Sequence, residues 1–191
     1  MTREVDARGL PCPQPVINTK RALEEIEAGT ITVLVDSAAS RENVRRFAQS
    51  QGCQVEITER DGAFCLTIVK GGQGQPKREK VTDVFFITGE QLGTGDKEFG
   101  ERLMIGFINN LGEATSRPHK IIFANSGVKL AAEGSEALVT LQRLEQEGVE
   151  ILSCGSCLEY YGLTDKLKVG IVTNSYEVVE TLLSAEKVIK I

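Results

Sequence analysis

The sequence predicts an α/β protein in two parts. A small two-layer β-α-β-α-β-β sandwich comes first, and a mostly parallel three-layer α/β domain follows. Three observations predict this. The chain has 191 residues, 41% hydrophobic and 26% charged, which permits one large or two small packed domains. Residues 71–80, Gly-Gly-Gln-Gly-Gln-Pro-Lys-Arg-Glu-Lys, carry no apolar side chain and read as a flexible linker. On both sides of that stretch, apolar residues alternate between helical and strand spacing.

In the first domain, residues 1–70, Val16, Thr19, Leu23 and Ile26 recur at helical spacing. Pro15 suits the first helical position, and Gly29 follows as a stop. Ile31 to Val35 is a β-rich run. Ser40 is a candidate N-cap for a second helix with Val44, Phe47 and Ala48 on one face and Gly52 past its end. Asp61-Gly62 signals a two-residue hairpin turn. That turn sets Ile57 opposite Leu66 and Val55 opposite Ile68 on the face that covers the helices. Cys65 then pairs with Thr58 on the other face, and Cys53 falls on the core face.

In the second domain, residues 81–191, Val81 to Thr88 reads as a strand. The Gly-rich turn Gly89 to Asp96 leads into a helix with Phe99, Leu103, Met104, Phe107 and Leu111 on one side. Lys120 to Asn125 is a strand, and Leu138, Leu141 and Leu144 mark a helix ended by Gly148. Strands at Val149 to Ser153, Val169 to Val172 and Val188 to Ile191 complete the set, with a helix near Val178 to Leu183. Alternating β and α elements imply a mostly parallel sheet covered on both faces, with functional groups at the carboxyl ends of its strands.

Charge narrows the function. The chain carries a net charge of −5. Residues 1–70 are net −1, the linker +2 and residues 81–191 net −6. Neither domain offers a broad basic face for a phosphate backbone. Aromatic residues are 5% of the chain and Trp is absent, so bases have little to stack on. Nucleic acid is therefore not an expected partner. The apolar runs are too short to span a bilayer. Met1 to Asp6 is polar and acidic, unlike a secretory signal, which points to the cytoplasm.

Five cysteines remain: Cys12, Cys53, Cys65, Cys154 and Cys157. In a reducing compartment they are thiols rather than a disulfide framework. Cys12 stands in Cys12-Pro13-Gln14-Pro15, just before a helix. A thiolate there would face unpaired backbone N–H groups and the positive end of the helix dipole, which favours the nucleophilic form. Pro13 and Pro15 restrict its approach. A small buried thiol beside a helix start is the plainer alternative.

Cys154-Gly155-Ser156-Cys157 follows a strand directly. Two thiols at this spacing can close a small disulfide loop or exchange a sulfur-bonded group. They can also simply pack. A zinc site needs more ligands, and His119 is the only histidine, so no metal or other cofactor is expected. His119 reads as a strand-end residue. Gly93, Gly95 and Asp96 form a candidate ligand or partner loop, although glycine also serves a plain turn and Asp96 can cap the next helix. The loop lacks the spacing of a Walker or dinucleotide site. Tyr160 and Tyr161 either wall a pocket or join the core.

The stretch Asp6-Ala7-Arg8-Gly9-Leu10-Pro11-Cys12-Pro13-Gln14-Pro15 resembles the signature of the TusA (SirA-like) family of sulfur carriers. That family has the same β-α-β-α-β-β order. The resemblance implies that Cys12 holds sulfur as a persulfide received from a cysteine desulfurase. Pro13, Pro15, Asp6 and Gly9 are the supporting motif positions. Many members continue the second strand into Asp-Pro, whereas here Asp36 precedes Ser37.

Ile87 to Asp96, Phe123 to Leu130 and Cys154-Gly155-Ser156-Cys157-Leu158 resemble DsrE-like domains, which are Rossmann-like and tend to assemble into homo-oligomers. The fusion of the two resembles the YedF-like family of sulfurtransferase-like selenium-metabolism proteins. It implies a carrier that holds sulfur or selenium on Cys12 and relays it with the Cys154/Cys157 pair. A donor such as a cysteine desulfurase and an acceptor protein are then the expected partners. The linker allows a relay, since ten flexible residues span roughly 15–20 Å. The alternative is a protein-binding or redox-sensing module without turnover.

Overall fold

A computed structural model describes residues 3–60, 62–71 and 82–191. The chain divides into two compact units, the first built on four strands and the second on five. The linker from residue 72 onward, Asp61 of the hairpin turn and Val81 lie outside the described residues. Among the described residues, no helix is long and apolar enough to cross a membrane.

The first unit runs β1 (Arg3–Asp6), α1 (Gln14–Glu24), β2 (Gly29–Val35), α2 (Ala38–Ser50), β3 (Gln54–Arg60) and β4 (Ala63–Lys70). The sheet order is β1-β2-β4-β3, with β1 parallel to β2 and the other pairs antiparallel. Ile31, Val33 and Val35 of β2 alternate onto one face with Leu66 and Ile68 of β4. That face packs on Val16 and Leu23 of α1 and on Val44 and Ala48 of α2. Each such fully buried aliphatic contributes roughly 1.5–3 kcal/mol. The hairpin register is the expected one: Val55 faces Ile68, Ile57 faces Leu66, and Thr58 faces Cys65.

Two helices differ from expectation at their ends. Helix α1 starts at Gln14, so Pro15 takes the second position, and it stops at Glu24, short of Ile26 and Gly29. Lys70 Nζ, arriving from the end of β4, donates to the Leu23 and Ile26 carbonyls at 2.8 Å each. That ammonium satisfies carbonyls left over at the helix end, so no glycine is needed there. Helix α2 is capped by Ser37 rather than Ser40. Ser37 is extended, and its Oγ accepts the Ser40 N–H at 3.1 Å. Ser40 lies inside the first turn, where its N–H is one of the donors a cap must satisfy.

The second unit runs β5 (Asp83–Ile87), α3 (Lys97–Glu113), β6 (Lys120–Phe123), α4 (Leu138–Gln146), β7 (Glu150–Cys154), α5 (Gly155–Tyr160), β8 (Ile171–Thr173), α6 (Ser175–Ser184) and β9 (Lys187–Lys190). A 3₁₀ segment, Asn125–Ala131, follows β6, and a shorter one, Thr164–Lys166, precedes β8. All strand pairs are parallel, in the order β8-β7-β6-β5-β9. One face packs on Met104, Ile108, Leu141, Leu144 and Leu158, and the other on Val178 and Leu182. The sheet is covered on both faces, as expected.

Helix α3 buries a different stripe from the one its large residues suggest. Phe99 is 58% and Leu103 40% exposed, while Met104 and Ile108 are fully buried. Gly100 and Gly112 complete the buried stripe at spacing four. At Gly112 a Cβ would stand 2.5 Å from Thr140 Cγ2 of α4. The helix meets its neighbour through small residues, and that rotates the larger ones outward.

Candidate functional site

Cys12 sits in the loop from β1 to α1, partly exposed, and the Cys12–Pro13 peptide is cis. The loop is pinned at several points. The Ala7 N–H donates to the Leu34 carbonyl at 2.9 Å, and the Gly9 N–H donates to Asp36 Oδ2 at 2.7 Å. Gly9 turns with φ +67°, which glycine adopts without strain. Asp6 accepts from Arg8 Nε at 2.9 Å, Arg8 Nη2 at 2.6 Å and the Arg8 N–H at 3.1 Å. Asp36 thus ties the cysteine loop to the start of α2, while Ser37 caps that helix. The serine supplies a cap that proline has no side-chain oxygen to make.

The expectation of unpaired N–H groups at the start of α1 is corrected here. The Gln14 N–H donates to the Pro11 carbonyl at 2.9 Å, and the Val16 N–H to the Pro13 carbonyl at 3.0 Å. Pro15 has no N–H to give. What α1 offers a sulfur at position 12 is the positive end of its dipole.

The Arg8 hydrogen bonds hold the Asp6 carboxyl at about 2, well below the usual carboxylate range. A carboxylate depressed in the folded state stabilises the fold above its unfolded value, about 3.9, and that contribution fades as pH falls through about 2. Carboxyl titration by NMR should place the Asp6 midpoint near 2, and Arg8→Gln, which keeps the backbone N–H but loses the guanidinium, should raise it toward the usual range. An unchanged midpoint in Arg8→Gln would remove Arg8 as the cause.

In the second unit, Cys154 ends β7 and Cys157 lies one turn into α5, both partly buried against the core. Asn125 starts the 3₁₀ segment after β6 with φ +49°, a left-handed conformation that asparagine tolerates. Its backbone N–H points at Cys157 Sγ from 3.1 Å. Tyr161 donates its hydroxyl to Asn125 Oδ1 at 3.0 Å. Lys129 Nζ stands 5.0 Å from the Tyr161 ring centroid and 2.8 Å from Glu90 Oε1. These groups collect where the parallel strands β6 and β7 end side by side. A hydrogen-bond donor aimed at sulfur would meet negative charge that developed there in a group transfer.

Tyr161, Lys129 and Glu90 also border an open cleft of about 580 Å³. Its floor includes Ile105, Leu130 and Leu163. Gly93, Gly95 and Asp96 do not line it. Gly93 and Gly95 are exposed, and Asp96 caps α3 by accepting the Phe99 N–H at 2.8 Å. Tyr160 is exposed, so only the second tyrosine walls the cleft.

Cys53 is buried in the first core, and burial pushes its thiol up, away from the nucleophilic form. Cys65 lies on the open face of the sheet beside Thr58 and Leu34. His119 is bound into the sheet, its N–H on the Asp83 carbonyl at 2.9 Å. Among the described residues, no cluster of three or more His, Cys, Asp or Glu side chains is placed to hold a metal ion. The sequence reading gave no role to Asn125, Lys129 or Glu90. The signal that points to Asn125 is its place at the carboxyl end of the strand beside the Cys154 strand.

The family model "Sulfurtransferase TusA" matches residues 3–70, and "DsrE/DsrF-like family" matches residues 108–191. Ile87 to Asp96 lies ahead of the second match. The first unit is similar to "Putative sulfur carrier protein MJ0990" of Methanocaldococcus jannaschii, 35% identical over 69 residues, which cover 36% of this chain and 92% of that protein. Among solved structures, a SirA-like protein from Desulfitobacterium hafniense is 44% identical with a TM-score of 0.35, covering 37% of this chain and 99% of that one. The ychN protein of E. coli is 18% identical with a TM-score of 0.45, covering 58% of this chain and 98% of that one.

Proposed function

Because the chain belongs to the TusA family of sulfur carriers through its first unit, we propose that Cys12 carries sulfur as a persulfide and that the Cys154/Cys157 pair receives it. The observation that carries this reading is Cys12 itself, a partly exposed thiol on a loop pinned by Gly9 and Asp36 at the dipole end of α1. In this reading residues 1–70 are the carrier, 71–80 the linker and 81–191 the DsrE-like receiving domain. Pro13 and Pro15 fix the approach of the thiol, and Asp6 and Gly9 hold its loop.

The donor is a cysteine desulfurase or another persulfide source, the acceptor is a protein thiol, and the reaction takes place in the cytoplasm. Selenium is the second cargo of this reading, in keeping with YedF-like selenium metabolism, since a selenium atom bonds the same thiolate in the same way. The receiving domain assembles with copies of itself.

Transfer balances without an added oxidant. A thiolate of the pair attacks the outer sulfur on Cys12, the new S–S bond forms, and Cys12 leaves as thiolate with the electron pair. Attack by the second cysteine then closes the Cys154–Cys157 disulfide and expels sulfide. The two electrons lost by the pair reduce the carried sulfur.

The relay is tested with sulfur-loaded protein lacking both Cys154 and Cys157. That variant should retain its label on Cys12, while wild type moves it to the second domain or releases sulfide. Equal retention on Cys12 in both proteins would remove the pair from the pathway.

A further inference from the structure

The open cleft beside Tyr161 is uneven in charge. Five glutamates border it, Glu90, Glu98, Glu101, Glu133 and Glu136, against two cations, Arg102 and Lys129. Lys129 is taken up by Glu90 at 2.8 Å. Lys97 stands 3.5 Å from Glu101 and Lys168 3.8 Å from Glu133, both as solvent-exposed pairs. Glu98 and Glu136 are exposed and, among the described residues, form no ion pair. The floor between these acids is apolar: Leu130 is buried, and Ile105 and Leu163 are half-buried. A cleft with one sign of charge over low-dielectric walls concentrates its field on whatever enters. Carboxylates on the rim and aliphatic groups on the floor ask for an occupant that answers both. Lysine and arginine side chains do so, because their stems lie along apolar surface while their heads reach carboxylate and water. A phosphate compound carries the wrong sign. The acids are spread around the rim, and among the described residues no three metal-ligating side chains are placed to hold a metal ion. A bare cation would also leave the floor uncovered. A volume of about 580 Å³ suits a few residues of chain.

We propose that this cleft docks a short basic segment of a partner protein, with its cationic heads on Glu98 and Glu136 and its aliphatic side chains on Ile105, Leu130 and Leu163. Tyr161 joins the cleft to the cysteine turn. It ends the short helix α5, whose N-cap is Cys154, and its N–H donates to the Cys157 carbonyl at 3.1 Å. A segment seated in the cleft therefore brings its protein to the Cys154/Cys157 pair. The partner's role as sulfur acceptor rests on the reading of the pair given above, and the charge match does not.

The test uses the reduced full-length chain and a fluorescein-labelled peptide of alternating lysine and leucine, followed by fluorescence anisotropy at low salt. The peptide should bind, and added salt should weaken it. Glu98→Lys combined with Glu136→Lys should weaken it about tenfold, the worth of two exposed charge pairs. Both positions are exposed, so the fold should persist. Glu56→Lys combined with Glu59→Lys changes the net charge equally at exposed positions of the first unit and should leave binding within about twofold. On the wild-type chain, a peptide with serine for leucine should bind about tenfold or more weakly, because the aliphatic burial is lost. A peptide with glutamate for lysine should not bind. Absent binding of the lysine–leucine peptide, or equal losses in the two double variants, overturns the proposal. If wild type ignores the peptide and the Glu98→Lys, Glu136→Lys variant changes its own mass in solution, the cleft belongs to a second copy of the chain, which also overturns it. No sulfur donor is present, so failure here leaves Cys12 loading and the relay untouched, and failure of the relay would leave the binding result standing.

Discussion

Gly127→Ala is expected to destabilise the protein by about 2–4 kcal/mol, a large effect for one methyl group. Gly127 lies in the 3₁₀ segment that leaves β6, where the chain passes directly over the end of β5. A Cβ there would stand 2.5 Å from the Ile87 carbonyl oxygen, 3.2 Å from its carbon and 3.4 Å from the Gly89 nitrogen. These are backbone atoms, so no side-chain rotation relieves the overlap. The Ile87 oxygen is also fixed, because it accepts the Ala124 N–H at 3.0 Å. The segment must therefore lift, and Asn125, two residues earlier, lifts with it. Denaturant unfolding of the full chain should show the lost stability, and Cys157 should lose its N–H donor in the same variant. Gly106→Ala is the control. It lies on the exposed face of α3 with nothing within 4 Å of a Cβ. Alanine there should stabilise by roughly 0.5–1 kcal/mol. Equal effects at the two positions would contradict the close approach.

That contrast also shows what a sequence can convey. The hairpin register was legible because alternation and a turn dipeptide together leave only one pairing that buries Val55, Ile57, Leu66 and Ile68. The parallel sheet was legible from its alternating elements. Glycine as a contact was not. Gly112 and Gly127 look like weak points in a pattern, yet each marks a place where backbone passes close by, and that is a property of tertiary packing. Helix α5 has six residues and the 3₁₀ segment seven, too few turns to show a period. Cys12, Cys154 and Cys157 stood out by residue type and spacing. Asn125 meets Cys157 Sγ through its backbone N–H, a group every residue but proline carries, so residue type alone could not single it out. The end of α1 shows the same thing from another side. Its terminal carbonyls are met by Lys70, which is 47 residues from Leu23 and invisible to any local rule.

Cys12→Ser is the second variant with a large expected effect, and the effect is on chemistry. Serine nearly preserves the shape of the side chain, and position 12 is partly exposed, so the fold should remain. In the proposed function, a hydroxyl in place of the thiol removes the nucleophile that takes sulfur from a persulfide. Loading at this position should fall to background rather than merely slow. The pinned loop makes the result specific. Asp36 still holds Gly9 and Arg8 still holds Asp6 in the variant, so lost loading reports the sulfur atom and not a loosened loop.

The most direct measurement is intact mass under non-reducing conditions, after incubation with a cysteine desulfurase and either cysteine or selenocysteine. Wild type should gain one sulfur or one selenium that a reductant removes. The variant lacking Cys154 and Cys157 should gain it too, and Cys12→Ser should not. A labile adduct on Cys12→Ser as abundant as on wild type would contradict the account, because the carried atom would then reside on another thiol.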